Sequence, residues 1–148
     1  MLKESSGPPN DTPWAALKSG QPTKVVILGG DAVIDPAVLI QVHNLIPGAT
    51  VQRWAGADRY ATAAAISFNT YPQGATTAYL ASGADYPDAL AGGPVAARAG
   101  APLLLTQKDC VPTSILSELT RLGATKIVVL GGTSAISDAA ANLTPCTG

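Results

Sequence analysis

Charged residues are scarce in this chain, and so are histidine and cysteine. Asp, Glu, Lys and Arg make up 13% of the 148 residues, whereas about 25% is usual for a soluble domain. The Lys and Arg residues form no cluster, which argues against nonspecific nucleic-acid binding through phosphate contacts. With one histidine and no CxxC pair, the sequence also lacks the common donor sets of a zinc site. We expect no cofactor.

Long apolar runs are missing as well. None approaches the roughly 18 to 20 residues that a membrane-spanning helix needs, and the opening MLKESSGPPNDTPW lacks the charged and then apolar layout of a signal peptide. We expect either that export information lies outside this sequence or that the protein is not secreted alone. Residues 1–22 are rich in Pro, Gly and Ser and predict a flexible leader, in which Trp14 to Leu17 favour one anchoring helical turn.

Thirteen residues near the start of the chain return near its end. Residues 23–35 (TKVVILGGDAVID) recur 102 positions later as residues 125–137 (TKIVVLGGTSAIS), with about seven identical positions. Such a repeat is typical of tandem arrays, so the chain holds one whole unit and a second copy of that unit's last strand and helix. Because the two copies of the strand are nearly equivalent, they compete for the same position in the sheet of one module. We therefore expect one of them to lie at a sheet edge or to pair with a neighbouring subunit.

Short apolar strands alternate with helices along the rest of the chain. Strands are predicted at residues 24–28, 50–54, 76–81, 102–106 and 126–130, each followed by a helix. This alternation predicts an α/β fold of the Rossmann or Toprim type, with three layers and a mostly parallel sheet covered by helices on both faces. Gly92-Gly93-Pro94 predicts a break in one helix or a close approach of another backbone. We expect one module over residues 23–148.

Polar side chains gather in the loops that follow the predicted strands. In open parallel sheets, ligands bind beyond the carboxyl ends of the strands. Asp58 and Asp88 stand where helix N-caps stand, so capping is the alternative to a binding role. Arg53 and Arg59 are near Asp58 in sequence, so a structural salt bridge is the alternative for them. A role as metal ligands for Asp58, Asp85 and Asp88 would favour a phosphoryl-handling hydrolase. Carboxylates without histidine, however, make a weak metal site.

Three further features have structural explanations too. Ser82 has no histidine base in its neighbourhood, which disfavours Ser-His-Asp chemistry. The triplet at 103–105 suits a buried strand. Cys110 and Cys146 would close a loop of about 37 residues, worth roughly 4 kcal/mol in the chain-entropy model, or would remain two separate thiols.

Four sequence motifs follow one another from residue 53 to residue 137. They are RWAGADRYATA at 53–63, SGADYPDAL at 82–90, APLLLT at 101–106 and IVVLGGTSAIS at 127–137. In this order and spacing they resemble the cell-wall-binding type 2 repeat of Gram-positive surface proteins, with 53–143 as one module and 23–46 as the tail of another. The resemblance implies a secreted, non-catalytic module at the cell wall or cell surface, which binds an anionic, teichoic-acid-like secondary polymer.

The resemblance also implies a binding surface and an assembly. The family's aliphatic triplet, usually Ile-Leu-Leu, falls on the leucines at 103–105, Arg98 takes a usually basic position before it, and Arg59 lies inside the first motif. Because family members usually carry three modules about a pseudo-threefold axis and this chain holds one, we expect a homotrimer. The predicted ligand-binding residues are Arg53, Asp58, Arg59, Ser82, Asp85, Asp88, Arg98, Leu103, Leu104 and Leu105, with Lys108 as a further cation. A purely structural oligomerisation domain is the remaining alternative.

Overall fold

The structure, a computed structural model, describes residues 12–147 and divides the chain into two compact units. The first unit ends at Trp54 and the second begins at Ala55, and each is described by itself. The boundary falls inside the stretch 23–148 that the sequence predicts as one module, close to the start of the repeat predicted at 53–143. Among the described residues, none of the helices has the length and apolarity that a membrane crossing requires.

The first unit is a two-stranded parallel sheet with a helix in the crossover between its strands. Its elements are α1 (Thr12–Gly20), β1 (Lys24–Leu28), α2 (Ala37–Leu45) and β2 (Thr50–Trp54). β1 and β2 pair from Lys24↔Thr50 to Leu28↔Trp54, and both strands have the predicted bounds. The buried core of this unit consists of Ile27, Val38 and Val42, because β1 and α2 turn their apolar faces to each other.

Helix α1 lies in the region predicted as a flexible leader. Its Trp14 and Leu17 pack against the core of the first unit, so the predicted helical turn is confirmed and extends to nine residues. Burial of these two side chains makes residues 12–20 part of the folded unit rather than a leader. Residues 1–11 of the predicted leader lie outside the described residues.

The second unit is a three-stranded parallel sheet with four helices. Its elements are α3 (Arg59–Thr70), β3 (Thr77–Ser82), α4 (Pro87–Arg98), β4 (Leu103–Thr106), α5 (Thr113–Leu122), β5 (Lys126–Val129) and α6 (Asp138–Ala141). The strand order is β4-β3-β5, and both pairings are parallel. Apolar β-branched runs form the strands, and Gly123, with φ of +66°, ends α5 as the sequence predicts.

Helices cover both faces of this three-stranded sheet. On one face, Leu80 and Leu104 are fully buried and share a core with Ile115 and Leu119 of α5. On the other face, Gly92 of α4 lies against the side chain of Leu130. The residue before it, Val129, packs against the core that contains Leu80 and Leu104. The predicted α/β fold, with parallel strands between helical layers, is confirmed.

Helix α4 runs without a break through Gly92-Gly93-Pro94, and the expectation of a break there is wrong. Gly92 is buried, and a Cβ at this position would overlap Cδ1 of Leu130. The glycine therefore makes room for a side chain of the sheet rather than for another backbone. Pro94 has no N–H to donate to the carbonyl one turn earlier, and the helix tolerates this loss on its exposed side.

Each copy of the repeated strand lies at an edge of its own sheet. β1 pairs with β2 in the two-stranded sheet, and β5 pairs with β3 at one side of the three-stranded sheet. This arrangement confirms the expectation of an edge position for one copy. The two copies do not compete, because each has a different neighbour.

A disulfide and a short backbone pairing hold the carboxyl-terminal segment. Cys110 and Cys146 are joined by an S–S bond of 2.01 Å. The N–H of Val111 donates to the carbonyl of Thr144 at 2.8 Å, and the N–H of Cys146 donates to the carbonyl of Val111 at 3.0 Å. The segment after α6 is thus tied to the loop after β4.

Candidate functional site

The loops after the three strands of the second unit meet at one edge of the sheet. The N–H of Gly83, after β3, donates to the carbonyl of Thr106 at the end of β4 at 2.8 Å. The N–H of Ser137, after β5, donates to the carbonyl of Lys108 at 2.8 Å. We call this region, formed by residues 83–86, 107–112 and 130–137 and the start of α3, the carboxyl edge. It is where open parallel sheets bind ligands.

The first motif builds the start of α3. Asp58 is its N-cap, and Oδ1 of Asp58 accepts a hydrogen bond from the N–H of Ala61 at 2.7 Å. The N–H of Gly56 donates to Oγ1 of Thr62 at 3.0 Å, and a Cβ at Gly56 would overlap the backbone of Ala61. The capping role predicted for Asp58 is confirmed. The motif requires glycine at position 56 because a larger side chain would overlap Ala61.

Arg59 and Tyr60 join the first motif to the second. The guanidinium of Arg59 donates to the carbonyl of Gly83 at 2.6 Å. The ring of Tyr60 fills the space that a side chain at position 83 would need, which requires a glycine there. Arg59 remains exposed, so its other N–H groups face solvent at the carboxyl edge.

Ser82 and Asp85 differ in their access to a ligand. Ser82 is 3% exposed, and its hydroxyl accepts hydrogen bonds from the N–H groups of Ala84 at 3.2 Å and of Asp85 at 3.5 Å. Its hydroxyl thus shapes the turn after β3. The side chain of Asp85 is exposed and lies at the surface of the carboxyl edge.

Asp88 does not cap a helix, and that prediction is wrong. α4 begins at Pro87 with Tyr86 as its N-cap residue, because proline suits the first helical position. Asp88 therefore lies in the first turn, where the helix dipole favours a carboxylate. Its carboxylate occupies the space that a Cβ on Gly131 would need, and Gly131 has a φ of +101°. Asp88 thus connects the second motif to the fourth.

The acidic residues of this edge do not form a metal cluster. In residues 12–147, no three His, Cys, Asp or Glu side chains gather in a way that would hold a metal ion. Asp58 and Asp88 instead face the N–H of Ala61 and the backbone at Gly131, respectively.

Arg53 and Arg98, two predicted binding residues, are not among the residues that form the carboxyl edge. Arg53, in the first unit, donates to the carbonyl of Gly29 at 2.7 Å and pairs with the carboxylate of Asp31 at 3.3 Å. Arg53 forms a salt bridge as predicted, but it pairs with Asp31 rather than with Asp58, because Asp58 is the N-cap of α3. Arg98 is the last of the 12 residues of α4, so about 18 Å of helix separates it from the helix start. The expectation that Arg98 joins the other charges at one rim is wrong.

The leucine triplet divides between the core and a groove. Leu104 is fully buried and belongs to the core, and Leu105 is half-buried. Leu103 borders a mostly apolar groove of about 200 Å³ beside β4. Its other lining residues come from α3, from α4 and from the segment before β4, and they are Ile66, Ser67, Thr70, Tyr71, Gly93, Ala96, Ala97, Ala101 and Pro102. The hydroxyl of Ser67 is buried and has no hydrogen-bond partner among the described residues.

Sequence reasoning missed an ion pair that links α5 to α3. Arg121 makes two hydrogen bonds of 2.7 Å to the carboxylate of Glu118 and donates to the carbonyl of Tyr71 at 3.1 Å. Its guanidinium lies 4.9 Å from the ring centre of Phe68. The hydrogen bonds that Arg121 donates to Glu118, which is 5% exposed, raise the pKa of Arg121 despite its partial burial. Opposite charges three positions apart on one helix were the available signal.

A sequence profile and several known proteins match this chain. The profile of the family described as Cell wall binding domain 2 (CWB2) matches residues 53–141. The N-acetylmuramoyl-L-alanine amidase LytC of Bacillus subtilis is 35% identical over 130 residues, which cover 87% of this chain and 25% of that protein. An uncharacterized protein of Pyrococcus abyssi is 33% identical over 109 residues, which cover 74% of this chain and 32% of that protein. The chain thus spans about a quarter to a third of these curated relatives.

Two solved structures share the fold. Cwp6 from Clostridium difficile superposes with a TM-score of 0.79 at 26% identity, over 87% of this chain and 20% of that chain. Cwp8 from the same organism gives a TM-score of 0.71 at 26% identity, over 84% of this chain and 22% of that chain. The matching profile spans the sequence motifs that meet at the carboxyl edge.

Proposed function

The chain belongs to the Cell wall binding domain 2 family, and we propose that it is a non-catalytic module that anchors a protein to an anionic, teichoic-acid-like polymer of the cell wall. The resemblance seen in the sequence motifs is thereby confirmed. The observation that carries the proposal is that the family match spans all four motifs, of which the first, second and fourth contribute residues to the carboxyl edge of the second unit and the third supplies β4. A location at the cell wall or cell surface follows from this role.

The polymer contact that we propose centres on the cations of the carboxyl edge. Arg59 and Lys108 are exposed there, and a guanidinium with free N–H groups suits phosphate oxygens. The exposed carboxylates of Asp58 and Asp85 lie at the same edge and oppose an anion. One such edge is therefore a weak site for a single phosphate group, and firm retention requires several edges on one polymer.

Self-association would supply those several edges. We propose a homotrimer, in which three copies replace the three modules that family members usually carry in one chain. Linked sites can raise the overall affinity by roughly 10²-fold or more through effective concentration. The low charge of the chain, 13% of its residues, supports close approach of copies. Light scattering of the purified protein measures this directly, and a stable monomer would contradict it.

Retention on purified cell walls tests the proposed function. The protein is sedimented with intact walls and with walls stripped of their anionic polymer, and we expect retention on the intact walls only. Equal retention on both would refute the anionic ligand. No retention on either would favour a purely structural oligomerisation domain. The supernatants are also assayed for released wall fragments, because release would contradict a non-catalytic role.

The hydrolase alternative has a separate test. A phosphoryl-handling hydrolase with aspartate ligands requires a divalent cation, so magnesium is titrated into the protein by calorimetry. We expect no saturable heat. Saturable binding that is lost in Asp85→Asn would favour the enzyme over the anchoring module.

A further inference from the structure

The two copies of the repeat have the same local structure. Gly29 and Gly131 both have positive φ, +123° and +101°. The N–H of Ile34 donates to the carbonyl of Gly30 at 3.0 Å, and its counterpart, Ile136, donates to Gly132 at 3.1 Å. Both copies therefore leave the strand through the same turn, and their strands can be compared position by position.

The neighbouring strands lie on opposite edges of these two equivalent strands. The N–H of Gly29 donates to the carbonyl of Trp54 in β2 at 3.0 Å, whereas the N–H of Leu130 donates to the carbonyl of Leu80 in β3 at 2.8 Å. Gly29 corresponds to Gly131, which is one position after Leu130. Because successive residues of a strand direct their N–H groups to opposite edges, β2 and β3 flank the repeated strand on opposite sides.

Consequently, among the described residues, β5 is unpaired on the side where β1 pairs with β2, and β1 is unpaired on the side where β5 pairs with β3. Within residues 12–147, β5 pairs with β3 alone and β1 pairs with β2 alone. On β5, the N–H groups of Ile127 and Val129 face the open edge. On β1, those of Lys24, Val26 and Leu28 do so. Unpaired strand edges are templates for pairing with another chain.

We propose that the open edge of β5 pairs with the open edge of β1 in a second copy of this chain. The two edges can pair in parallel because they lie on opposite sides of the repeated strand. The open edge of β5 is on the β2 side, and the open edge of β1 is on the β3 side. The helix-covered faces also match, since Ile127 and Val129 face one core and Val25 and Ile27 face the equivalent core. A continuous parallel sheet β4-β3-β5-β1-β2 would run across the two copies.

This contact is head to tail and is independent of polymer binding. Each copy offers β5 at one interface and β1 at the other, so the contact repeats and closes into a ring if the rotation between copies allows it. The charged residues of the two strands are Lys24 and Lys126, which are the first residues of β1 and β5. The ammonium group of Lys24, at the start of β1, lies 5.0 Å from the centre of the Trp54 ring in its own sheet.

Mixed crosslinking of full-length variants tests the contact. Val26 and Val128 are equivalent positions of the repeat, on the face away from the two cores. We expect a mixture of Val26→Cys and Val128→Cys proteins to give a crosslinked dimer with a short bis-maleimide. Each variant alone should give none, because head-to-tail pairing places β1 beside β5 and not beside another β1. Equal yields from the single variants, or no product from the mixture, would overturn the proposal.

A proline variant gives a second readout. Val26→Pro removes an N–H that faces the open edge and breaks no strand hydrogen bond within one copy. We expect light scattering to show assemblies for the unmodified protein and a monomer for the variant, with an unchanged circular dichroism spectrum. A monomeric unmodified protein, or a variant that keeps the assembled mass, would overturn the proposal. If the variant unfolds, the crosslinking result decides. Wall retention is scored separately, so failure of the edge contact is distinguishable from failure of polymer binding.

Discussion

Removal of the Cys110–Cys146 bridge is expected to destabilise the second unit strongly. The two cysteines are 36 positions apart in sequence, and a closed loop of this length is worth about 4 kcal/mol through loop-closure entropy. The loop contains all of α5, β5 and α6. Replacement of both cysteines by alanine should therefore lower the free energy of unfolding of this unit by up to about 4 kcal/mol.

Residual structure in the reduced, unfolded chain would lessen the entropy gained, so this value is an upper limit. The backbone pairing of Val111 with Thr144 and Cys146 is independent of the sulfur atoms and holds the segment in the folded state, so the expected loss comes from the unfolded chain. At a urea m-value of about 1–3 kcal/mol/M, the midpoint should fall by roughly 1–4 M.

Urea denaturation with two probes measures the effect. Both tryptophans, Trp14 and Trp54, lie in the first unit, whereas all four tyrosines lie in the second. We expect the tyrosine near-ultraviolet signal to report the shift in midpoint and the tryptophan fluorescence to change less. A tyrosine midpoint that moves by less than about 0.5 M would contradict this expectation, because loop closure would then contribute little to stability.

Substitutions at Asp58, Glu118 and Arg59 test the start of α3, the ion pair and the carboxyl edge, with Arg98 as a control for the last. Asp58→Ala removes the N-cap of α3 and should cost about 1 kcal/mol in urea unfolding, whereas Asp58→Asn should cost less because it still accepts from Ala61. Glu118→Gln leaves the partly exposed Arg121 without its anion and should cost about 1–3 kcal/mol; an unchanged midpoint would contradict the importance of the pair. Arg59→Ala should reduce wall retention more than Arg59→Lys, which keeps the charge, and Arg98→Ala at the far end of α4 should leave retention unchanged. A larger loss for Arg98→Ala would move the binding surface to that end.

Most strands and several helix boundaries could be predicted from local sequence. The runs at 24–28 and 50–54 are bounded by glycine, proline or turn residues, and the structure gives both the predicted bounds. Asp58 caps α3 because the N-cap signal is local, and Gly123 ends α5 for the same reason. Local signals therefore suffice where the competing conformations differ within a few residues.

Tertiary contacts decided what sequence reasoning could not. α4 continues through Gly92 because the side chain of Leu130, 38 positions later, needs the space. Asp88 has the sequence context of an N-cap, but Pro87 takes the first helical position and Gly131 receives the carboxylate. Helix length removed Arg98 from the predicted rim, since a residue's position along a helix fixes its distance from the ends.

The most direct test of polymer binding at the carboxyl edge is a titration of soluble anionic polymer, released from purified walls, into the full-length protein. We expect saturable binding that weakens as salt is added, because screening acts on exposed charges, and that weakens further in Arg59→Ala. Binding that is insensitive to salt and to this substitution, or no binding at all, would contradict the claim that the carboxyl edge anchors the protein to an anionic wall polymer.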